Sequence, residues 1–139
     1  MSASSRETLY EDPAVRISWD TNAKLLELEA KSTLALGQFR PIMEKLLQYL
    51  KQKRAQKLLA DISKIAKISD EDLVWTETDW FPRELKVGAR FFAVVPPASL
   101  ASHMSLDKMT ERVDPGPTGH IRRFFADAVS AREWLAKQQ

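Results

Sequence analysis

Hydrophobic and polar residues alternate along two segments near the start of the chain. Apolar side chains occupy every second position over residues 14–19, and turn residues follow at 20–22. A second alternating segment covers residues 24–30, with Glu27 and Glu29 at polar positions. A period of two is typical of a strand that buries one face. The two segments therefore predict an antiparallel hairpin whose glutamates lie on the face opposite the apolar residues.

The spacing of apolar residues changes to three and four from Leu36 onward, which predicts an amphipathic helix. Because proline is tolerated only in the first turn of a regular helix, we expect that helix to begin near Pro41 and to end at about Lys53. Basic residues crowd its predicted end, where cations favour the negative pole of the helix dipole. They are Lys51, Lys53, Arg54 and Lys57. No aromatic residue is interleaved with them, so we interpret the cluster as a solvated helix end rather than a nucleic-acid contact.

Three further apolar segments predict strands, over residues 57–62, 90–95 and 120–125. The first two are nearly continuous apolar runs, as expected for central strands covered on both faces. Two prolines end the second of these runs, and proline cannot continue a central strand.

Helices are predicted between and after these strands. Ser69 precedes three carboxylates, which is typical of an N-cap whose hydroxyl accepts the amide of the third helical residue. This helix is expected to bend or restart at Pro82 and to end at Gly88. A short helix is predicted over residues 105–112, and Asp127 is expected to cap a C-terminal helix.

The order of these elements predicts an α/β fold, with an N-terminal β-hairpin, a mixed and mainly parallel five-stranded sheet, and about four helices. The chain has 139 residues, of which 44% are hydrophobic. This length supplies one packed core but not two. We therefore expect a single domain over residues 1–139, with residues 1–8 disordered.

Composition excludes several classes of function. The net charge of +2 is too small for the basic face of a nucleic-acid-binding protein. There is no cysteine, which excludes disulfides, thiolate metal sites and cysteine nucleophiles. The longest stretch without a charged residue, 91–106, is shorter than the ~20 apolar residues of a membrane-spanning helix. The first residues do not resemble a secretory signal, so we expect a cytoplasmic protein without a membrane span.

Recognisable catalytic and metal-binding motifs are absent from the sequence. Neither of the two histidines, His103 and His120, has neighbouring ligands at the spacing of a zinc site. The glycines form no phosphate-binding loop, and no serine lies in a Gly-x-Ser-x-Gly motif. Carboxylates follow Ser69, but a helix start and an exposed helix face need the same residues. They are Asp70, Glu71, Asp72, Glu77, Asp79 and Glu84. We predict a protein that is not an enzyme and has no metal or cofactor.

Five aromatic residues lie on the second predicted helix and on the strand that follows it. They are Trp75, Trp80, Phe81, Phe91 and Phe92. Aromatic residues at helical spacing beside a buried strand are typical of a packed core. The same set can also line an apolar ligand pocket between the helix and the strand. The sequence leaves both interpretations open.

Several segments, spread over most of the chain, resemble one family. They are residues 59–70 (LADISKIAKISD), Trp75, residues 80–82, Gly88, residues 124–125, Asp127, Ala131 and residues 133–135. In these positions the chain resembles the bacterial SpoIIAA-like family of STAS-type domains. The predicted order of strands and helices is also the order of that fold. The resemblance implies a bacterial STAS-like domain that acts by binding other proteins.

The resemblance also implies an interaction loop. In anti-sigma-factor antagonists of this fold, an Asp-Ser pair opens a helix and its serine is phosphorylated. Asp61 and Ser63 match the preceding strand end, whereas the pair falls on Ser69 and Asp70, so a carboxylate occupies the acceptor position. The resemblance therefore implies a constitutive interaction surface formed by these four residues rather than a phosphorylation switch.

The leading hypothesis is a non-enzymatic, STAS-like regulatory or protein-interaction domain. We expect its partner, another protein or a second copy of the chain, to bind the sheet edge or the exposed side of the second helix, where Trp75 or Trp80 is half covered. The alternative hypothesis is a module that binds a small apolar ligand or lipid. The family also resembles lipid carriers of the CRAL-TRIO type, which agrees with the aromatic set.

Overall fold

The computed structural model of the protein describes residues 6–35, 37–97 and 121–138. In this part of the chain, six strands form one sheet in the order β1-β2-β3-β4-β5-β6. The strands are β1 (Arg6–Glu11), β2 (Val15–Asp20), β3 (Leu25–Ala30), β4 (Lys57–Asp61), β5 (Phe91–Val95) and β6 (Ile121–Phe124).

The sheet is mixed. Strands β1, β2 and β3 pair antiparallel, whereas β3, β4, β5 and β6 pair parallel. Parallel neighbours need a crossover connection, and α1 (Phe39–Lys53) supplies the one between β3 and β4. The predicted α/β class, the N-terminal hairpin and the mainly parallel character of the sheet are confirmed.

The prediction of five strands is wrong, because β1 was not anticipated. Its register with β2 shifts between Thr8 and Tyr10. Leu9 and Tyr10 are adjacent apolar residues at this point, so the β-bulge coincides with a break in the alternation that predicts a strand. The disorder expected for residues 1–8 does not extend to Arg6, Glu7 and Thr8, which lie in β1.

The second helical region is continuous from residue 70 to residue 86. It consists of α2 (Asp70–Trp75), a π-helical turn (Thr76–Trp80) and α3 (Phe81–Lys86). We call it the composite helix. The C-terminal helix α4 (Ala128–Ala136) starts after Asp127, whose side chain accepts a hydrogen bond from Ser130 N–H, as the predicted cap requires. The predicted helix over residues 105–112 lies outside the described residues.

The α-helix restarts at Phe81, next to Pro82 as predicted, after a π-helical turn that was not predicted. The hydroxyls of Thr76 and Thr78 donate to the carbonyls of Asp72 and Val74, each at 2.8 Å. Hydroxyls bonded to the carbonyl four residues earlier compete with the helical backbone and bend helices. Pro82 lies in the first turn of α3, directly after the π-helical turn, where the regular i→i−4 hydrogen bonds of the α-helix are already interrupted.

Helices cover both faces of the sheet. Helix α1 and the composite helix pack on one face, and α1 buries the predicted apolar stripe against it. The buried residues are Phe39, Ile42, Met43, Leu46, Leu47 and Leu50. Ile42 was not part of the predicted pattern, and the predicted Leu36 lies outside the described residues. Helix α4 packs on the opposite face against β4 and β5, through Ala131 and Leu135.

The polar face of β3 is less exposed than a half-buried hairpin implies. Glu27 lies on the same face as α4 and is only 5% exposed. Its carboxylate accepts hydrogen bonds from Arg6 of β1 and Arg132 of α4. A carboxylate with so little access to water needs such partners, and α4 supplies one from the far end of the chain.

Candidate functional site

An apolar cleft of about 370 Å³ lies between the composite helix and the sheet. The strand residues that line it include Ala60, Val94 and Phe124, each at or next to the carboxyl end of its parallel strand. Open α/β sheets bind ligands beyond this edge. The cleft is thus in the position where the fold favours a site.

Small side chains on a central strand leave room for the cleft. Ala60 of β4 pairs with Val94 of β5, and both face the composite helix. A larger residue than alanine at position 60 would occupy space that the cleft takes. On the opposite wall, Leu73 and Phe81 of the composite helix complete an apolar lining.

One ion pair lies at this apolar surface. Arg122 of β6 donates through Nη1 to Glu77 Oε1 at 3.1 Å, and both residues line the cleft. The Arg122 guanidinium lies 4.3 Å from the centre of the Phe81 ring. Arg122 is the only cation among the described residues that line the cleft. An arginine held by an aromatic face and one carboxylate keeps its fork of donors pre-organised.

The five aromatic residues predicted from the sequence are not gathered at one place. Phe81 and Phe92 line the cleft. Trp80 is fully buried beside them in the core, where its indole Nε1 donates to Met43 O at 2.8 Å. Phe91 packs on the opposite face of the sheet, against Trp134 of α4. The aromatic set therefore divides between core and cleft, because adjacent residues of a strand point to opposite faces.

Trp75 lies outside the lining of the cleft. Its ring packs edge-on against Phe39 and lies under the guanidinium groups of Arg40 and Arg83. The side chain is partly buried, as the half-covered tryptophan of the prediction requires. Its neighbour Val74 is 60% exposed, so this turn presents an apolar side chain to solvent.

Within the predicted interaction loop, Ser69 has the local geometry expected of an N-cap. Ser69 Oγ accepts a hydrogen bond from Asp72 N–H at 3.1 Å, which confirms Ser69 as the N-cap of α2. Asp70 is the first helical residue and is exposed. At the end of β4, the hydroxyl of Ser63 donates to Asp61 Oδ1 at 2.7 Å. The two halves of the loop are thus each held by their own local hydrogen bonds.

The same loop forms part of the cleft wall. Ile62 and Ile68 line the cleft, while Ile65 between them is buried in the core. The exposed polar residues and the apolar wall belong to one short segment. The predicted interaction loop is therefore adjacent to the cleft.

Sequence reasoning did not identify Arg122, Glu77 or the loop isoleucines as site residues. A partial signal was present for Arg122, because the alternation of β6 places it on the same face as Phe124. Nothing local to Glu77 distinguishes it from the other carboxylates of the composite helix. One of those, Glu84, is fully buried, so it does not belong to an exposed helix face as predicted.

The basic cluster lies at the opposite end of the strands, where Lys57 begins β4. Lys51 and Lys53 occupy the last turn of α1, as predicted. Lys53, Arg54 and Lys57 line a second cavity of about 590 Å³ together with Lys24 of the β2–β3 turn. Helix α1 directs its terminal carbonyl groups to this end, and the cations offset that partial negative charge.

The described residues show neither a metal cluster nor a membrane helix. Within them, no group of three or more His, Cys, Asp or Glu side chains is arranged to hold a metal ion. None of their helices combines the length and the apolar character needed to cross a bilayer. His103 and His120 lie outside the described residues.

Comparison of the chain with protein-family models, with curated proteins and with solved structures gave no match. The resemblance to the SpoIIAA-like family therefore depends on the residues quoted above and stays a prediction.

Proposed function

We propose that this protein is a non-enzymatic binding domain that holds a small apolar molecule in the cleft between the composite helix and the sheet. The observation that carries the proposal is the cleft itself. Its volume of about 370 Å³ lies at the lower end of the ~300–1,000 Å³ typical of small-molecule sites. The cavity beside the basic cluster is larger, at about 590 Å³, but most of its lining residues are polar or charged.

The lining favours an apolar occupant. Aliphatic and aromatic side chains of β4, β5, β6 and the composite helix face the cleft, with Arg122 and Glu77 as its only charged residues among those described. Burying an apolar chain in such a lining yields ~0.8 kcal/mol for each methylene group. Sites with a mainly apolar lining and few polar groups are typical of small-molecule binding.

The proposal is tested with the neutral fluorescent probe N-phenyl-1-naphthylamine, whose emission rises on entering an apolar site. Purified full-length protein is expected to enhance the emission in a saturable manner. The variant Leu73→Trp places a large side chain on the cleft wall and is expected to weaken probe binding at least tenfold.

Val74→Trp is the matched control, because Val74 is in the same helical turn but 60% exposed. It is expected to bind the probe within about twofold of the wild type. Circular dichroism and urea unfolding confirm that each variant is folded. If the wild type gives no saturable enhancement, or if Leu73→Trp binds as the wild type does, the proposal is wrong.

A second candidate function is the STAS-like interaction role, with a protein partner or a second copy of the chain. The observation that favours it is the loop that carries exposed Ser63 and Asp70 next to the cleft wall. A ligand against Ile62 and Ile68 would touch the same segment that a partner contacts. Light scattering over a range of concentrations tests self-association. A dimer that is lost in Val74→Lys supports the helix surface, whereas a monomer throughout excludes the homodimer.

A further inference from the structure

We infer that the ligand of the cleft is an amphiphile with a single carboxylate, a fatty-acid-like molecule whose head group binds Arg122 and whose apolar chain extends between the composite helix and the sheet. This inference rests on the proposed function and specifies the chemical class of the ligand.

Arg122 is a largely buried cation in apolar surroundings. Its side chain is only 18% exposed, yet it lies on a strand face that is otherwise apolar at this end of the sheet. The paired residue on β5 is Phe92, and the next residue on the same face of β6 is Phe124. A cation in such surroundings is costly unless anions and hydrogen-bond acceptors face it. This point of the cleft therefore favours a negatively charged group, a role that the Glu77 carboxylate fills in the structure.

Arg122 has more hydrogen-bond donors than its ion pair with Glu77 uses. Nη1 donates to Glu77, but the buried Nε forms no hydrogen bond with the described residues. The guanidinium group has five N–H donors in a planar fork that matches a carboxylate. The fork therefore has donor capacity beyond its bond to Glu77.

Glu77 is the group that a ligand carboxylate would displace from Arg122. Its side chain is 59% exposed, so this carboxylate can move into solvent and release Arg122 at little cost. A ligand carboxylate would replace it on the same guanidinium. Since Arg122 is the only cation among the lining residues that the structure describes, one negative charge is matched, and a dianionic head group is not.

The test compares two ligands that differ only in their head group, octanoate and 1-octanol. Each is titrated below its solubility or micelle limit as a competitor of N-phenyl-1-naphthylamine, with the full-length protein. Hydrogen bonds to a charged group predict that octanoate binds at least ~10-fold more tightly than 1-octanol. The affinity of hexanoate, octanoate and decanoate is expected to rise about fourfold for each methylene group until the cleft is filled.

Two variants assign this preference to the ion pair. Arg122→Met keeps an unbranched apolar chain against Phe81 and is expected to lower the ratio of the affinity for octanoate to that for 1-octanol to about one. Glu77→Gln removes the competing charge, so it is expected to raise this ratio above that of the wild type.

The outcomes separate this inference from the proposed function. Equal binding of octanoate and 1-octanol by the wild type, with both lost in Leu73→Trp, overturns the inference that the ligand carries a carboxylate. The proposed function, an apolar binding site, would still stand. A preference for octanoate that persists in Arg122→Met also overturns the inference, because another group then binds the head. If neither compound nor the probe binds, the proposed function fails and the inference fails with it.

Discussion

Arg132 and Glu27, which are 105 positions apart in the chain, form an ion pair with two hydrogen bonds. Nε and Nη2 of Arg132 donate to Oε1 and Oε2 of Glu27 at 3.0 and 2.8 Å. Arg6 Nη2 donates to Oε1 of the same carboxylate at 3.0 Å. Hydrogen bonding to Glu27 raises the pKa of Arg132. One carboxylate on β3 thus connects the first strand of the sheet to the last helix.

We predict that Glu27→Gln lowers the free energy of unfolding by about 1–3 kcal/mol, because it weakens charged hydrogen bonds at a buried position. Urea unfolding measures the change. Glu29→Gln is the control on the same strand face, since the Glu29 side chain is 35% exposed and that of Glu27 only 7%, whereas their arginine partners are about equally exposed. It is expected to cost less than about 1 kcal/mol. Equal losses of unfolding free energy for the two substitutions would show that the burial of Glu27 does not strengthen its contribution to stability.

Trp80 is expected to be the tryptophan on which folding depends most. It has no exposed surface and packs against Phe81 and Phe92, with ring centroids 5.6 and 5.9 Å away. Trp80→Ala should lower stability by about 3–5 kcal/mol through the cavity it leaves. Trp75→Ala is the comparison and should cost less, because Trp75 is only partly buried. Equal urea midpoints for the two variants would contradict this assignment.

We predict that the protein loses stability in acid, because the turn between β1 and β2 contains a carboxylate, Asp12, that is hydrogen-bonded when folded. Asp12 has its pKa lowered below the ordinary value of 3.8 by a hydrogen bond from the Tyr10 hydroxyl and by backbone amides, Val15 N–H first. A carboxylate whose pKa is lower when folded contributes stability above its unfolded pKa, and this contribution is lost as the pH falls through the folded value. Glu44 adds to the same trend, since a hydrogen bond from Arg83 lowers its pKa.

Asp12→Asn tests this prediction, because the amide oxygen still accepts the backbone hydrogen bonds but does not titrate. We expect the variant to be less stable than the wild type at pH 7 and to approach it below about pH 4. Thermal unfolding across this range measures the difference. A constant difference at every pH would show that Asp12 acts without its charge.

Replacement of the N-cap Ser69 by alanine is expected to lower stability by about 0.5–2 kcal/mol, because Asp72 N–H loses its acceptor. Ser63→Ala is the matched control on the same loop. Ser63 is exposed and its hydroxyl donates only to the neighbouring Asp61, so its loss should change stability by less than ~0.5 kcal/mol. Similar unfolding midpoints for the two variants would exclude a capping role.

The carboxylate of Asp70 predicts that the loop is not a phosphorylation switch. We expect phosphopeptide mapping of the protein from its native cell to find no stoichiometric phosphate on Ser63 or Ser69. The variant Asp70→Ser restores a hydroxyl at the position that the family resemblance marks as the acceptor. Phosphate that appears only in this variant would show that a kinase still recognises the loop, whereas phosphate on the wild-type serines would refute a constitutive surface.

Local patterns were sufficient for most of the secondary structure. The apolar stripe of α1, the alternation in β2 and β3, and the caps Ser69 and Asp127 each depend on residues within a few positions of one another. Such patterns predict an element because burial and capping of that element need few distant partners. The bulge in β1 and the π-helical turn escaped prediction because each interrupts the period on which the reading relies.

Tertiary contacts alone placed the charged and apolar groups of the site. Arg122 and Glu77 are 45 positions apart and meet only because β6 pairs with β5 beneath the composite helix. The side chain of Glu27 is buried because α4, more than 100 residues later, covers its face. The sequence pattern identifies which residues share a face of one element, since that depends on backbone periodicity. Which faces meet, and where they leave a cleft, depends on packing between elements that no local period encodes.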